Sequence, residues 1–182
     1  NQAMVALDME AVKKFIFKEH QDEKLNMRKL CIVGSEMGTA VALQYTVLDW
    51  LKKPWPDAPT LAARTPRGQD VRALVLISPV ERISGVSARK AISTLRKPNF
   101  DIALLSMYGE KDPADDGDGH KIYEKFKRYD NEDAPRIYEV AFPTKARGFE
   151  LINNNAAAKR AFFTFIDREL KQSFGEWVNR RS

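Results

Sequence analysis

The sequence predicts an α/β fold, a three-layer α/β/α sandwich on a mostly parallel sheet. Short apolar runs rich in β-branched residues alternate with segments whose apolar residues recur at helical spacing. The runs are apolar throughout, as strands covered on both faces are. Successive runs are separated by helix-length segments, the crossover that parallel strands require. With 182 residues and 43% hydrophobic content, one sizeable core is possible and two ordinary domains are not. A single domain over 1–182 is therefore expected.

In chain order, Asp8 reads as the N-cap of a first helix, on which Val12, Phe15 and Ile16 recur at helical spacing through Glu19. A polar link from Gln21 to Lys29 leads into Leu30 to Val33, whose length and branching suit a buried strand. Thr39 to Trp50 is helical, with Val41, Ala42, Tyr45 and Leu48 on one side. Pro54, Pro56, Pro59 and Pro66 make Lys53 to Gly68 an excursion loop. Trp50 and Trp55 bracket its start, either pinning it to the domain or forming an aromatic wall for a ligand or partner. Val71 to Ser78 is a strand and Ala88 to Leu95 a helix. A strand from Ile102 to Tyr108, a helix from Gly119 to Tyr129 and a strand from Arg136 to Phe142 follow. Ala156 to Phe174 closes the chain as a helix with Phe162, Phe163, Phe165, Ile166 and Leu170 as core.

Composition removes several function classes. The net charge of +5 arises from 30 basic residues interleaved with 25 acidic ones, so no nucleic-acid surface is expected. The cluster from Asn179 to Ser182 reads as a solvated tail. Cys31 is the only cysteine, which excludes an internal disulfide and a thiolate zinc cage; its apolar run makes it a buried, inert thiol. No apolar stretch has the length of a membrane span. Gly34 and Gly38 lack the third glycine or the Lys-Ser/Thr pair of a nucleotide loop. Asp112, Asp115, Asp116 and Asp118 lack the closing glutamate of a calcium loop and read as a solvated acidic turn capping the next helix. No metal and no cofactor are expected. The chain opens at Asn1 directly into a helical pattern, as a fragment or processed product does; the cytoplasm is the default location, with a lost leader still compatible.

The pattern with chemical content is the strand Leu30 to Val33 running into Gly34-Ser35-Glu36-Met37-Gly38 and then a helix. The two glycines flank the central residue at the spacing of the G-x-S-x-G nucleophile elbow, a sharp turn that holds its middle side chain at the carboxyl edge of a sheet. Downstream, Val71 to Pro79 is followed by Glu81, Leu104 to Pro113 ends in a G-x-x-D turn at Gly109 and Asp112, and Thr144 to Leu151 carries Arg147-Gly148 before an apolar helix. Together these segments resemble the C-terminal two-thirds of an α/β-hydrolase domain. The similarity spans nearly the whole chain. The early strands of that fold, and the loop supplying one oxyanion-hole N–H, have no counterpart in it.

The resemblance implies Glu36 at the nucleophile position, Asp112 at the acid position, Arg147 at the base position and Met37 as the oxyanion-hole candidate. Only Asp112 suits serine chemistry, which needs a hydroxyl and an imidazole base. An arginine stays protonated and cannot serve as base. Haloalkane dehalogenases and epoxide hydrolases of this superfamily place aspartate in the elbow; Glu36 is a methylene longer. Ser35, beside the elbow centre, points another way. His20 is expected at the solvent or capping its helix, and His120 at a helix start or at the mouth of the site. Arg147 is expected to pair with Glu36, Asp112 or both.

The resulting expectation is a non-catalytic, α/β-hydrolase-like protein that binds or scaffolds an unidentified small molecule or protein. The alternative is a hydrolase using Glu36 as carboxylate nucleophile or base on an ester, amide or halide; a third possibility is an assembly module. The exposed sheet edge is expected to be covered by the missing N-terminal segment or by a second copy.

Overall fold

The computed structural model describes residues 2–83, 86–172 and 176–180. In chain order the elements are α1 (Gln2–Gln21), a 3-10 turn (Met27–Lys29), β1 (Leu30–Ser35) and α2 (Gly38–Trp50). After a second 3-10 turn (Leu61–Ala63) come β2 (Val71–Ile77), β3 (Arg82–Ile83), β4 (Val86–Ser87) and α3 (Ala88–Leu95). The chain continues through β5 (Ala103–Gly109), α4 (Asp118–Lys127), β6 (Ile137–Phe142), α5 (Gly148–Asn153) and α6 (Ala156–Ile166), which runs into a π turn at Asp167–Lys171. The four apolar runs form one all-parallel sheet in the order β1-β2-β5-β6, so the fold is α/β. The strands pair in aligned register, Ser35 beside Ile77 and Ile77 beside Met107, and their carboxyl ends therefore finish together.

Alternation along the central strands sorts the core into two clusters. Leu74, Leu76 and Leu104 pack with Leu43 and Tyr45 of α2, Ile92 and Leu95 of α3, and Ile122 and Phe126 of α4. Ala73, Val75, Ile77, Leu105 and Met107 pack with Leu151 of α5 and Phe165 of α6. Each large side chain fully buried here contributes about 1.5–3 kcal/mol. β1 lies at one edge, where Val33 is 37% exposed and Cys31 only half-buried, so the expected burial of this strand is not observed. None of the described helices is long and apolar enough to cross a membrane.

Several expectations about helix faces are corrected. α1 begins before Asp8, which therefore sits inside the helix. Its Leu7, Val12 and Phe15 face solvent, whereas Lys13 and His20 are buried. The helix docks through polar groups: the Lys13 ammonium pairs with Asp49 and Asp70, and Tyr45 donates to Glu10. Leu48 of α2 is exposed, while Asp49 on the neighbouring position is buried. Phe163 of α6 is also exposed, and Phe174 lies outside the described residues. Within the expected solvated tail, Arg180 is instead buried and paired with Asp70, Asn179 is exposed, and Arg181 and Ser182 lie outside the described residues. The proline-rich loop folds back with Trp55 N–H donating to the Thr65 carbonyl. Trp50 is buried and its indole donates to the Val71 carbonyl, whereas Trp55 stays partly exposed beneath the Arg67 guanidinium.

Candidate functional site

Because the sheet is parallel and its strands end in register, the turns after β1, β2, β5 and β6 meet at one edge. The first is the turn after β1. Glu36 has φ 50, the left-handed region that costs a non-glycine residue about 1–2 kcal/mol. Its N–H donates to the Ile77 carbonyl at 2.9 Å and its carbonyl accepts from Thr39 at 3.1 Å, which hold the turn closed. Gly34 is required by space, since a Cβ there would meet the Gly38 carbonyl oxygen at 2.9 Å and the Ala42 Cβ at 3.0 Å. At Gly38 a Cβ would meet nothing within 4 Å, so only the first glycine is needed for close approach. Met37 occupies the N-cap position of α2 with helical dihedrals, and its side chain is exposed.

After β2, Ser78 is buried with φ 45, and its hydroxyl accepts the N–H of Gly148 at 2.9 Å. Gly148 has φ +55, and a Cβ there would lie 2.8 Å from a Glu36 carboxylate oxygen. After β5, Gly109 lets the 144–146 segment cross closely, because a Cβ would meet the Thr144 and Ala146 carbonyl oxygens at 2.6 and 2.8 Å. The G-x-x-D turn then returns Asp112, whose carboxylate accepts the Ala114 N–H at 2.9 Å.

Arg147, after β6, joins these pieces. Its Nε donates to Glu36 Oε1 at 2.6 Å and its Nη1 to Asp112 Oδ2 at 2.7 Å. Exposure is graded across the three side chains: Asp112 2%, Arg147 25% and Glu36 46%. Burial opposes the Arg147 charge, but the hydrogen bonds it donates to Glu36 and Asp112 outweigh it and hold its pKa above the usual value. The centre is thus a permanently charged cation between two carboxylates. It offers a half-exposed carboxylate to a visitor and no imidazole among its three side chains.

Neither imidazole belongs to it. His20 is fully buried, contrary to the expected solvent-facing or capping role: its Nε2 lies 2.9 Å from the Val178 carbonyl, Nδ1 accepts from Met27 N–H at 3.4 Å, and its ring packs on Trp177 at 5.2 Å. His120 is exposed and lies 2.9 Å from Glu139, which also accepts from Tyr108 at 2.6 Å; the Glu139 hydrogen bond raises the His120 pKa. The Ser35 hydroxyl is buried without a hydrogen-bond partner among the described residues. In the acidic loop, Asp115 accepts from the Asp118 N–H and Asp118 from the Glu81 N–H, so these carboxylates tie the turn together. The helix N-cap itself is Gly117, with no side-chain cap. No group of three or more potential metal ligands occurs among the described residues.

Sequence reasoning missed Ser78 and Gly148 as a pair. The Ser-Pro ending β2 and the glycine after Arg147 were visible signals, but the hydrogen bond between them spans 70 positions. In comparisons with known proteins, no family model matches this chain and no curated protein matches it.

Proposed function

We propose that this chain is an α/β-hydrolase-like protein, a three-layer α/β/α sandwich in which the reaction centre has been replaced by an ionic bridge, and that it acts by binding or scaffolding. The observation that carries this is the Arg147 guanidinium, hydrogen-bonded at once to Glu36 and Asp112. Under the hydrolase correspondence, Arg147 stands where the base is needed. A guanidinium accepts no proton at neutral pH, so Arg147 activates neither an attacking hydroxyl nor a hydrolytic water. The strained turn at Glu36 supports the correspondence, since an elbow holds its central residue in a sharp, strained turn.

The half-exposed Glu36 carboxylate favours a second reading, in which it is a base for water or a nucleophile that displaces halide from carbon to leave an ester, or alcohol or amine from an acyl group to leave a mixed anhydride. Hydrolysis of either adduct still needs a base for water, and both histidines are engaged elsewhere. The test is a panel of chromogenic esters, anilides and haloalkanes with wild type and Glu36→Gln. The proposal expects both proteins at the buffer rate. A wild-type rate above buffer that Glu36→Gln abolishes supports a hydrolase using Glu36 as nucleophile or base instead.

A further inference from the structure

The opposite edge of the sheet holds a second polar centre, built where β2 begins. Asp49 and Asp70 are fully buried there. Asp49 accepts the N–H groups of Asp70 at 2.7 Å and Val71 at 3.1 Å, fixing the end of α2 to the start of β2. Lys13 reaches in from α1 to both carboxylates, 2.7 Å from Asp70, and donates to the Arg67 carbonyl at 3.2 Å. Arg180 closes the group from the tail by pairing with Asp70. Two buried cations thus neutralise two buried carboxylates, the condition for burying any of the four.

Outside this quartet lies a cavity of about 360 Å³ whose charged lining is Glu10, Lys13, Lys14, Lys52, Arg67 and Arg180. Lys13 and Arg180 are committed to Asp49 and Asp70, and Lys52 pairs with Glu10 at 2.5 Å. Lys14 and Arg67 form no ion pair with a carboxylate among the described residues. Among the described residues, two positive charges on exposed side chains are therefore left at the mouth of a concave site. Its other wall is apolar, with Phe17 and Trp55, and the Arg67 guanidinium lies 4.3 Å from the Trp55 ring centroid, which aims the charge across the aromatic face.

We propose that this cavity binds a small phosphomonoester carrying a flat apolar group. A phosphomonoester brings a charge of about −1.5 to −2 at neutral pH and three acceptor oxygens, matching the two uncompensated cations and their several N–H donors. The flat part packs on Phe17 beside the Arg67-covered Trp55 ring. A volume near 360 Å³ is at the small end of ligand pockets, sized for a single ring system and its phosphate. The pocket is at the amino edge of the strands and Glu36 is at the carboxyl edge, so this proposal stands independently of the reading of the elbow.

The test is calorimetric titration of the full chain with phenyl phosphate, inorganic phosphate, phenol and phthalate, with the Trp55 indole N–H resonance followed in parallel. The expected result is one site for phenyl phosphate, weaker binding of inorganic phosphate, none of phenol, and a shift of the Trp55 signal. Lys14→Ala and Arg67→Ala, both exposed and outside the buried quartet, should each weaken phenyl phosphate about fivefold, while Lys90→Ala on α3 leaves it unchanged. Raising the ionic strength should weaken it further. Absence of saturable binding overturns the proposal. So does binding unaffected by removing both Lys14 and Arg67, and phthalate binding as tightly as phenyl phosphate overturns the choice of phosphate.

Discussion

Arg147 is the side chain whose removal the site tolerates least. Arg147→Ala leaves Asp112 buried with its cation gone, and should lower unfolding free energy by about 2–3 kcal/mol, read from urea midpoints. Glu36→Gln removes a contact to a half-exposed carboxylate and should cost less than about 1 kcal/mol. Cys31 offers a second residue-scale check. Burial pushes its thiol up to about 12, against an opposing hydrogen bond to the Val75 backbone, so it should react slowly with a disulfide reagent at neutral pH and fully in denaturant. The meeting of Glu36, Asp112 and Arg147 was legible through the resemblance of their segments to an elbow, a G-x-x-D turn and a last catalytic loop, each following a recognisable apolar strand. Lys13 and His20 were not. Charged and imidazole side chains on a helix read as its wet face, and only Asp49, Asp70 and the Val178 carbonyl, distant in sequence, make their burial possible.

At the level of elements, the two elbow glycines separate space from motif. Gly34→Ala drives a Cβ into the Gly38 carbonyl oxygen and the Ala42 Cβ, and should cost about 1–3 kcal/mol as β1 and α2 are forced apart. Gly38→Ala meets open space at the start of α2 and should be neutral or stabilising by up to about 1 kcal/mol, since alanine is the better helix former. Equal losses in thermal melts of the two variants would contradict the described turn. The strands themselves were legible almost to the residue, because central parallel strands need apolar side chains on both faces. Helix faces were less so. α1 carries an apolar stripe that does not point at the core, and α6 stops in a π turn that no residue pattern announces. The short β3/β4 ribbon also escaped, being two residues a side.

Across the whole molecule, the sheet separates two ionic centres. At its amino edge, burial works against the Lys13 ammonium, yet Asp70 and Asp49 outweigh it and raise the Lys13 pKa above 10.5. A raised pKa in the folded state means that this contribution is complete below the unfolded-state value and is lost as pH rises through the folded one. Thermal stability should therefore fall only above about pH 10.5 on this account. Lys13→Met, which takes a cation from Asp49 and Asp70, should melt lower at neutral pH and show a shallower alkaline decline. At the carboxyl edge the central claim is that Glu36 is held by Arg147 and takes no covalent part in turnover. The most direct test is to incubate the protein with the ester, anilide and haloalkane panel in heavy-oxygen water and weigh the tryptic peptide from Leu30 to Lys52. The account predicts an unshifted mass after prolonged incubation. Heavy oxygen in the Glu36 carboxylate, left when an ester or mixed anhydride formed on it is hydrolysed at its own carbonyl, would contradict it.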